Sequence, residues 1–136
     1  LTLLAIKGRS KVVGFGFAIP VSSRPEIAKE LRGLIPIKHS TYLSELGIRE
    51  QFRRRGLARR LTELRLSLID KERFTHAVMR TSTAKDPAYA LFTDMGFEDM
   101  GVYTEVSARR IDGGVRTDRR LFLSRMIEEP TEFNTD

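Results

Sequence analysis

Residues 42–61, YLSELGIREQFRRRGLARRL, form the stretch that decides the fold of this chain. The first seven residues favour a β-strand and end in a short polar turn. The turn leads into three arginines, residues 53–55, then into Gly56, and a helix is predicted to follow. Gly56 can adopt backbone angles that other residues avoid, and neither Gly56 nor Ala58 carries a bulky side chain.

A strand, a turn with small residues and a helix N-terminus together form a phosphate-binding arrangement. The first amide N–H groups of a helix have no intrahelical partner, and the helix dipole adds partial positive charge there. The arginines at residues 53–55 add fixed charge and forked donors. These residues therefore predict a pyrophosphate site, and a basic amphipathic helix that starts after a turn glycine is the structural alternative.

The spacing of this loop is more specific than its composition. Arg53-x-x-Gly56-x-Ala58, after a strand ending Leu46-x-Ile48, resembles the acyl-CoA pyrophosphate loop of the GNAT superfamily of N-acyltransferases. The stretch has neither the Gly-Lys-Ser/Thr ending of a Walker loop nor the three spaced glycines of a dinucleotide fingerprint.

A second segment, residues 86–97, is predicted to be a short helix that Asp86 caps and Gly96 ends. Its pattern A-x-x-L-F at residues 88–92, followed by Gly96-Phe97, resembles a second motif of the same superfamily. An ordinary capped core helix is the alternative for this segment taken alone. Both segments occur in the order of the family, separated by a helix and a strand.

The resemblance implies an α+β, three-layer GNAT-like fold with a mixed, mostly antiparallel sheet flanked by helices. We expect one domain over residues 1–127 and an acidic tail over residues 128–136. A family domain opens with a strand and one or two helices that precede the first hairpin here, so we expect either a fragment or a fold that manages without them. The irregular residues 21–39 are then expected to help wall the acceptor pocket.

Hydrophobic patterning predicts the remaining elements. The predicted strands are residues 2–7, 11–20, 41–48, 75–82, 97–107 and 119–127, and a short helix is predicted over residues 25–33. In the helix after Gly56, a core-facing stripe is predicted at Leu57, Leu61, Leu64 and Leu68.

The resemblance implies which residues contact the cofactor, acetyl-CoA, which is the acyl-donor substrate. They are Leu46, Gly47, Ile48, Arg53, Arg54, Arg55, Gly56, Leu57, Ala58, Lys85 and Phe92. The strand amides would bind the pantetheine arm and polarise the thioester carbonyl, a large term in catalysis. Lys85 replaces a family asparagine, and a solvated lysine is the alternative for it.

Two residues are candidates for acid–base chemistry. An amine acceptor with a pKa of about 10.4 must lose a proton before attack, and Glu45 on the strand beside the thioester is the candidate base. A Glu45 that pairs with an arginine or faces solvent is the alternative. Many relatives carry a tyrosine where Phe92 stands, so Tyr89 is the candidate acid for the departing thiolate, with a packing role as the alternative.

Composition excludes several classes of protein. The chain has no cysteine and two histidines, so it offers no disulfide scaffold, no thiol nucleophile and no metal site. It has no apolar run near the roughly 20 residues that span a bilayer, and we expect a soluble, cytoplasmic protein with no membrane partner. Aromatic residues are not interleaved with the basic clusters, which argues against nucleic acid as a partner despite a net charge of +6.

Three functions remain open on the sequence. The favoured one is an acetyl-CoA-dependent N-acetyltransferase that acts by direct attack of a primary amine on the thioester. The second is a GNAT-like module that binds acyl-CoA with little catalysis, as a sensor or assembly partner. The third is a basic nucleic-acid-binding protein. The acceptor stays undetermined, and both a monomer and a homodimer are open.

Overall fold

The computed structural model describes residues 2–8, 11–48, 56–82, 87–109 and 111–127. The strands are β1 (Thr2–Gly8), β2 (Lys11–Pro20), β3 (Ser40–Ile48), β4 (His76–Thr81), β5 (Glu98–Arg109) and β6 (Val115–Met126). The helices in the described part are α1 (Pro25–Leu31), α2 (Leu57–Leu68) and α3 (Pro87–Asp94), with 3₁₀ turns at Val21–Ser23 and Ile37–His39. The predicted elements are confirmed, although α1 ends before residue 33 and β6 begins before residue 119.

The strands form a six-stranded sheet in the order β1-β2-β3-β4-β6-β5. β3 and β4 are parallel and are connected through α2, whereas the other neighbouring pairs are antiparallel. A parallel pair needs a crossover connection of this kind, and antiparallel pairs do not. The architecture confirms the predicted α+β fold with its mixed, mostly antiparallel sheet.

Successive strand residues point to opposite faces, so the sheet separates two hydrophobic cores. The first face, which we call the α2/α3 face, carries Ala18, Leu43, Ala77, Met79, Leu121 and Leu123, packed with Phe92, Met95, Phe97 and Ile69. The second, the α1 face, carries Tyr42, Val78 and Phe122, packed with Val21, Ile27, Ala28 and Leu31. Both faces of the central strands are therefore buried.

The stretch predicted to be irregular, residues 21–39, covers the α1 face of the sheet. Ile27, Ala28 and Leu31 of α1 are all buried against it. Partly buried Ile35 and Ile37 extend the same cover towards β3. That this segment also lines the acceptor pocket stays a prediction.

The predicted leucine stripe of α2 is only partly correct. Leu61 is fully buried, but Leu68 is 57% exposed, and the other buried positions of α2 are Thr62 and Arg65. At about 100° per residue, the centre of the buried arc is rotated by roughly 80° from the stripe that the leucines define. The rotation occurs because α2 crosses the sheet where Gly16 leaves space for the long side chain of Arg65.

The predicted end of α3 is confirmed in detail. Gly96 has a φ of +91°, and the N–H groups of Gly96 and Phe97 donate to the carbonyls of Thr93 and Phe92. These two bonds form a Schellman cap, which glycine favours because a left-handed residue must follow the helix. The predicted N-cap, Asp86, lies outside the described residues. None of the helices described is long and apolar enough to cross a bilayer.

Candidate functional site

The central strands of the sheet separate halfway along their length. β3 and β4 pair at Ser40 with His76, Thr41 with Ala77 and Tyr42 with Val78, and then stop pairing. β3 continues to Ile48 along β2, while β4 continues to Thr81 along β6. We call the gap between residues 43–48 and residues 79–81 the β3–β4 split. Along it, the described backbone groups of β3 have no ladder partner in β4.

A β-bulge lies in β3 beside the β3–β4 split. Phe17 of β2 pairs with Ser44, and Gly16 pairs with Leu46, so Glu45 has no partner in β2. Bulges of this kind kink a strand and redirect a side chain, and they are frequent next to active sites. The candidate base therefore stands at the irregular position of the strand, although its side chain lies outside the described part of the structure.

Arg65 of α2 holds this bulge. The side chain is 1% exposed, and its Nη1 donates to the carbonyls of Phe17 at 3.0 Å and Ser44 at 3.3 Å. These carbonyls belong to the residue pair on one side of the unpaired Glu45. Gly16 makes the approach possible, because a Cβ there would lie 3.0 Å from Nε of Arg65.

A chain of hydrogen bonds connects the bulge to the start of α2. Nη2 of Arg65 donates to the hydroxyl of Thr62 at 3.3 Å, and that hydroxyl donates to the carbonyl of Ala58 at 2.8 Å. Ala58 belongs to the predicted phosphate loop. The strand that would bind the pantetheine arm and the helix end that would bind its phosphates are thus linked through two buried side chains.

Burial makes Arg65 costly to the fold. Desolvation lowers the pKa of Arg65 to about 10, so the guanidinium still carries its charge at neutral pH. The shift corresponds to a cost on the order of 3 kcal/mol, since one pKa unit is about 1.4 kcal/mol. Its Nε is buried without a partner in the described part of the chain. A charge kept under these conditions indicates a role beyond packing.

The predicted phosphate loop is described only at its helical end. Gly56 is the N-cap of α2 and has a φ of +73°, which confirms the left-handed conformation expected of it. A Cβ at Gly56 would have nothing within 4 Å among the described residues outside its chain neighbours. Leu57 and Ala58 form that turn, and Arg53, Arg54 and Arg55 lie outside the described residues.

The described residues of the second motif pack on the α2/α3 face, in the same core as Leu43 and Met79 of the split, and their contact with the cofactor stays a prediction. Phe92 is 5% exposed and packs edge-on against Phe97 in the core of the α2/α3 face. The hydroxyl of Tyr89 donates to Asp99 at 3.2 Å, on the edge strand β5. Burial, and then this carboxylate, raise the pKa of Tyr89 above its ordinary value. Lys85 lies outside the described residues.

One strand, β6, lies between β4 and β5, which places β5 two strand spacings of about 4.8 Å from β4, so the acid role of Tyr89 requires its hydroxyl to leave Asp99. That role stays a prediction. A cavity of about 1190 Å³ opens at the opposite end of β4, between His76, Gly96 and Ile127. Its lining includes no residue of the β3–β4 split or the α2 N-terminus, so we do not assign the chemistry to it.

Family comparison agrees with this geometry. Residues 26–106 match the family model described as FR47-like protein, and residues of that range form the β3–β4 split, α2 and α3. The chain is also 30% identical over 92 residues to N-acetyltransferase 8F1 of Rattus norvegicus. The match covers 68% of this chain and 37% of the rat protein, so the chain spans just over a third of that relative's length.

Solved structures share the fold. The ribosomal-protein-S18-alanine N-acetyltransferase of Escherichia coli has a TM-score of 0.65 at 14% identity, covering 97% of this chain and 72% of that one. The Salmonella typhimurium protein yncA, solved with its cofactor acetyl-CoA, has a TM-score of 0.64 at 13% identity, covering 93% and 65%. The chain belongs to the GNAT superfamily of N-acyltransferases, within its FR47-like family.

Proposed function

We propose that residues 1–127 form an N-acetyltransferase domain that moves an acetyl group from acetyl-CoA to a primary amine. The observation that carries the proposal is the β3–β4 split, which runs beside a bulge and near a helix N-terminus with a left-handed glycine. In a chain of this family, such a split offers strand amides to a pantetheine arm and helix amides to its phosphates.

The proposed reaction needs no covalent enzyme intermediate. The amine nitrogen attacks the thioester carbonyl, an N–C bond forms, and the C–S bond breaks with its electron pair passing to sulfur. The nitrogen loses a proton to a base, and the thiolate gains one to become the free thiol. Backbone N–H donors along residues 43–48 would stabilise the oxyanion, a contribution of about 3–4 kcal/mol where one donor has been removed elsewhere.

Glu45 is the proposed base because the bulge sets it apart from the regular strand. The backbone of residues 44–46 is fixed by Arg65 and by β2, which limits how far Glu45 can shift. A base held in this way can accept the proton from an ammonium whose pKa is about 10.4.

A second candidate function is an acyl-CoA-binding module with little catalysis. The observation that favours it is the placement of the second motif, because Phe92 is in the core and Tyr89 is bonded to Asp99. A thiol of pKa about 8.5 can nevertheless leave without an acid at a cost of about 2 kcal/mol at pH 7. The replacement of the family tyrosine by Phe92 therefore predicts a slower enzyme and not an inactive one.

The test of the proposal is the variant Gly56→Glu, with Gly101→Glu as its control. Both glycines have positive φ values, +73° and +69°, and no described residue outside their chain neighbours lies within 4 Å of a Cβ built there, so the backbone strain of substitution is similar. Only Gly56→Glu places a carboxylate at the α2 N-terminus, where it repels the pyrophosphate. We expect the Kd for CoA in calorimetry to rise at least about 100-fold in Gly56→Glu alone.

Equal CoA affinity in the two variants would refute the phosphate site. Release of free thiol from acetyl-CoA with a panel of amines then separates the two candidate functions. An enzyme releases thiol only when an amine is present, whereas a binding module retains CoA affinity and releases none.

A further inference from the structure

Arg80 of β4 is the charged side chain at the mouth of the β3–β4 split on the α1 face. It lies two residues beyond Val78, the last residue of β4 that pairs with β3. Its neighbour Met79 belongs to the core of the α2/α3 face, so alternation directs Arg80 to the other side. Arg80 therefore faces the split from the side that α2 does not cover.

Neutral groups hold the Arg80 guanidinium in place. Nε donates to the hydroxyl of Tyr42 at 2.9 Å, and Nη1 donates to Oγ1 of Thr104 at 3.3 Å. The guanidinium carbon lies 5.5 Å from the centroid of the Tyr42 ring and 5.6 Å from that of Phe122. Two bonds and two rings fix the plane of the group before any ligand arrives.

Among the described residues, these two bonds leave further donors of the guanidinium unused at its outer edge. Arginine has five N–H donors, and the two bonds above use one from Nε and one from Nη1. The ion pairs among the described side chains are Arg24 with Glu26 and Arg59 with Asp94, and neither involves Arg80. The edge formed by Nη1 and Nη2 matches the two oxygens of a carboxylate.

A second arginine adds positive charge to the same ring. Arg24, the N-cap of α1, lies 5.7 Å from the Tyr42 centroid and pairs with Glu26. A backbone hydrogen bond, then Arg24 and, more weakly, the charge of Arg80 hold the pKa of Glu26 below its ordinary value, so this carboxylate stays ionised. Arg24 has Glu26 as its ion-pair partner, whereas Arg80 attracts this carboxylate at longer range and forms no ion pair with it among the described side chains. Its guanidinium edge is therefore the one proposed for an incoming anion.

We propose that Arg80 binds a carboxylate of the acceptor, and that the acceptor is a small amine carrying a carboxylate, such as an amino acid. The inference rests on the proposed function, since it assigns the acceptor of that reaction. With the donor arm reaching the split from the α2 N-terminus, the acceptor nitrogen would approach from the α1 face, on which Arg80 lies. A carboxylate on Arg80 holds that nitrogen at the split beside the bulge, and the carboxylate itself is unchanged by the transfer.

The experiment compares acids with their amides in two assays. Thiol release from acetyl-CoA is measured with glycine, leucine and lysine and with the corresponding carboxamides. Calorimetry on the CoA-loaded protein measures the Kd of N-acetylglycine, N-acetylleucine and N-acetyllysine and of their amides. The second assay needs no turnover, so it tests the carboxylate site even if the protein proves to be a binding module.

We expect at least one acid to be favoured over its amide by about 10-fold or more, the scale of a charge-assisted hydrogen bond. Arg80→Gln should reduce that preference to within about 3-fold and leave CoA affinity unchanged, and Arg80→Lys should keep part of it. Arg73→Gln is the matched control, because Arg73 also stacks on a ring, that of Phe74 at 4.8 Å, away from the split.

Equal binding of acids and amides, or no binding of any acid, would overturn the inference. An acid preference that survives in Arg80→Gln would also overturn it, because the carboxylate would then be bound elsewhere. Each of these results would leave the proposed acetyl transfer standing. A protein that does not bind CoA would instead refute the proposed function itself.

Discussion

On the α2/α3 face of the sheet, the Arg65 guanidinium is buried and binds the carbonyls of Phe17 and Ser44. On the α1 face, the Arg80 guanidinium is partly exposed and, among the described residues, donates to two hydroxyl groups. The two side chains approach the same split from opposite sides. The difference shows that one type of charge can shape a strand on one face and remain available to a ligand on the other.

Removing the Arg65 charge should separate activity from stability. In Arg65→Met, two buried carbonyls lose a donor at about 1–3 kcal/mol each, but the cost of burying the charge also disappears. We therefore expect the free energy of unfolding to change by less than about 2 kcal/mol. Turnover should fall at least about 100-fold, because displacement of the bulge by about 1 Å misplaces the reacting groups.

Three measurements check this: kcat and KM with a saturating amine, CoA affinity, and urea unfolding. Arg65→Lys should recover part of kcat, because its ammonium can still donate to the two carbonyls. The idea that Arg65 positions the bulge fails if kcat in Arg65→Met drops only as much as the folded fraction does.

Gly16→Ala tests the space that Arg65 occupies. The new Cβ would lie 3.0–3.1 Å from three atoms of the Arg65 side chain, which its carbonyl partners hold in place. We expect a loss of about 1–3 kcal/mol in the free energy of unfolding, typical of an overpacked core.

The matched background is Arg65→Met, where the guanidinium is absent and the added methyl meets a flexible side chain. A double-mutant cycle by urea unfolding should give a coupling energy of about 1 kcal/mol or more. Additive effects of the two substitutions would mean that Gly16 and Arg65 do not constrain each other.

Glu26→Gln alters the charge balance of the α1 face. The pKa of Glu26 is lowered in the folded protein, so its charge stabilises the fold above the ordinary carboxyl pKa, and this is lost as the pH falls through the lower folded value. Glu26→Gln should therefore show a shallower decline of stability between about pH 5 and pH 3.

Urea unfolding across that range measures the effect, and Glu30→Gln removes a similar charge from α1 without the contact to Arg24. Glu26→Gln also leaves Arg24 without its carboxylate, so the affinity for an N-acetylated amino acid should rise a few-fold. An unchanged affinity would show that Arg24 does not contribute to the carboxylate site.

Local signals account for the parts of the site that the sequence predicts. The left-handed Gly56 and the cap at Gly96 follow from the freedom of glycine to adopt a positive φ. The flanking sequence predicts these two positions, because each glycine stands where a helix starts or ends. The order of strands and helices follows from the hydrophobic period and the spacing of the two motifs. Leu68 shows the limit, because a leucine at helical spacing is exposed where the helix turns another side toward the sheet.

By itself, the sequence determined the α+β order, the motif that assigns the superfamily, and the glycines that start and end helices, because each depends on residues close together in the chain. Only the tertiary structure decided which α2 residues face the sheet, how Arg65 holds Ser44 across 21 positions, and how Arg80 meets Tyr42 across 38. The physical reason is that a polarity pattern predicts charged residues at the surface, and a buried or stacked arginine becomes favourable only when distant carbonyls, hydroxyls and rings are brought to it by the fold.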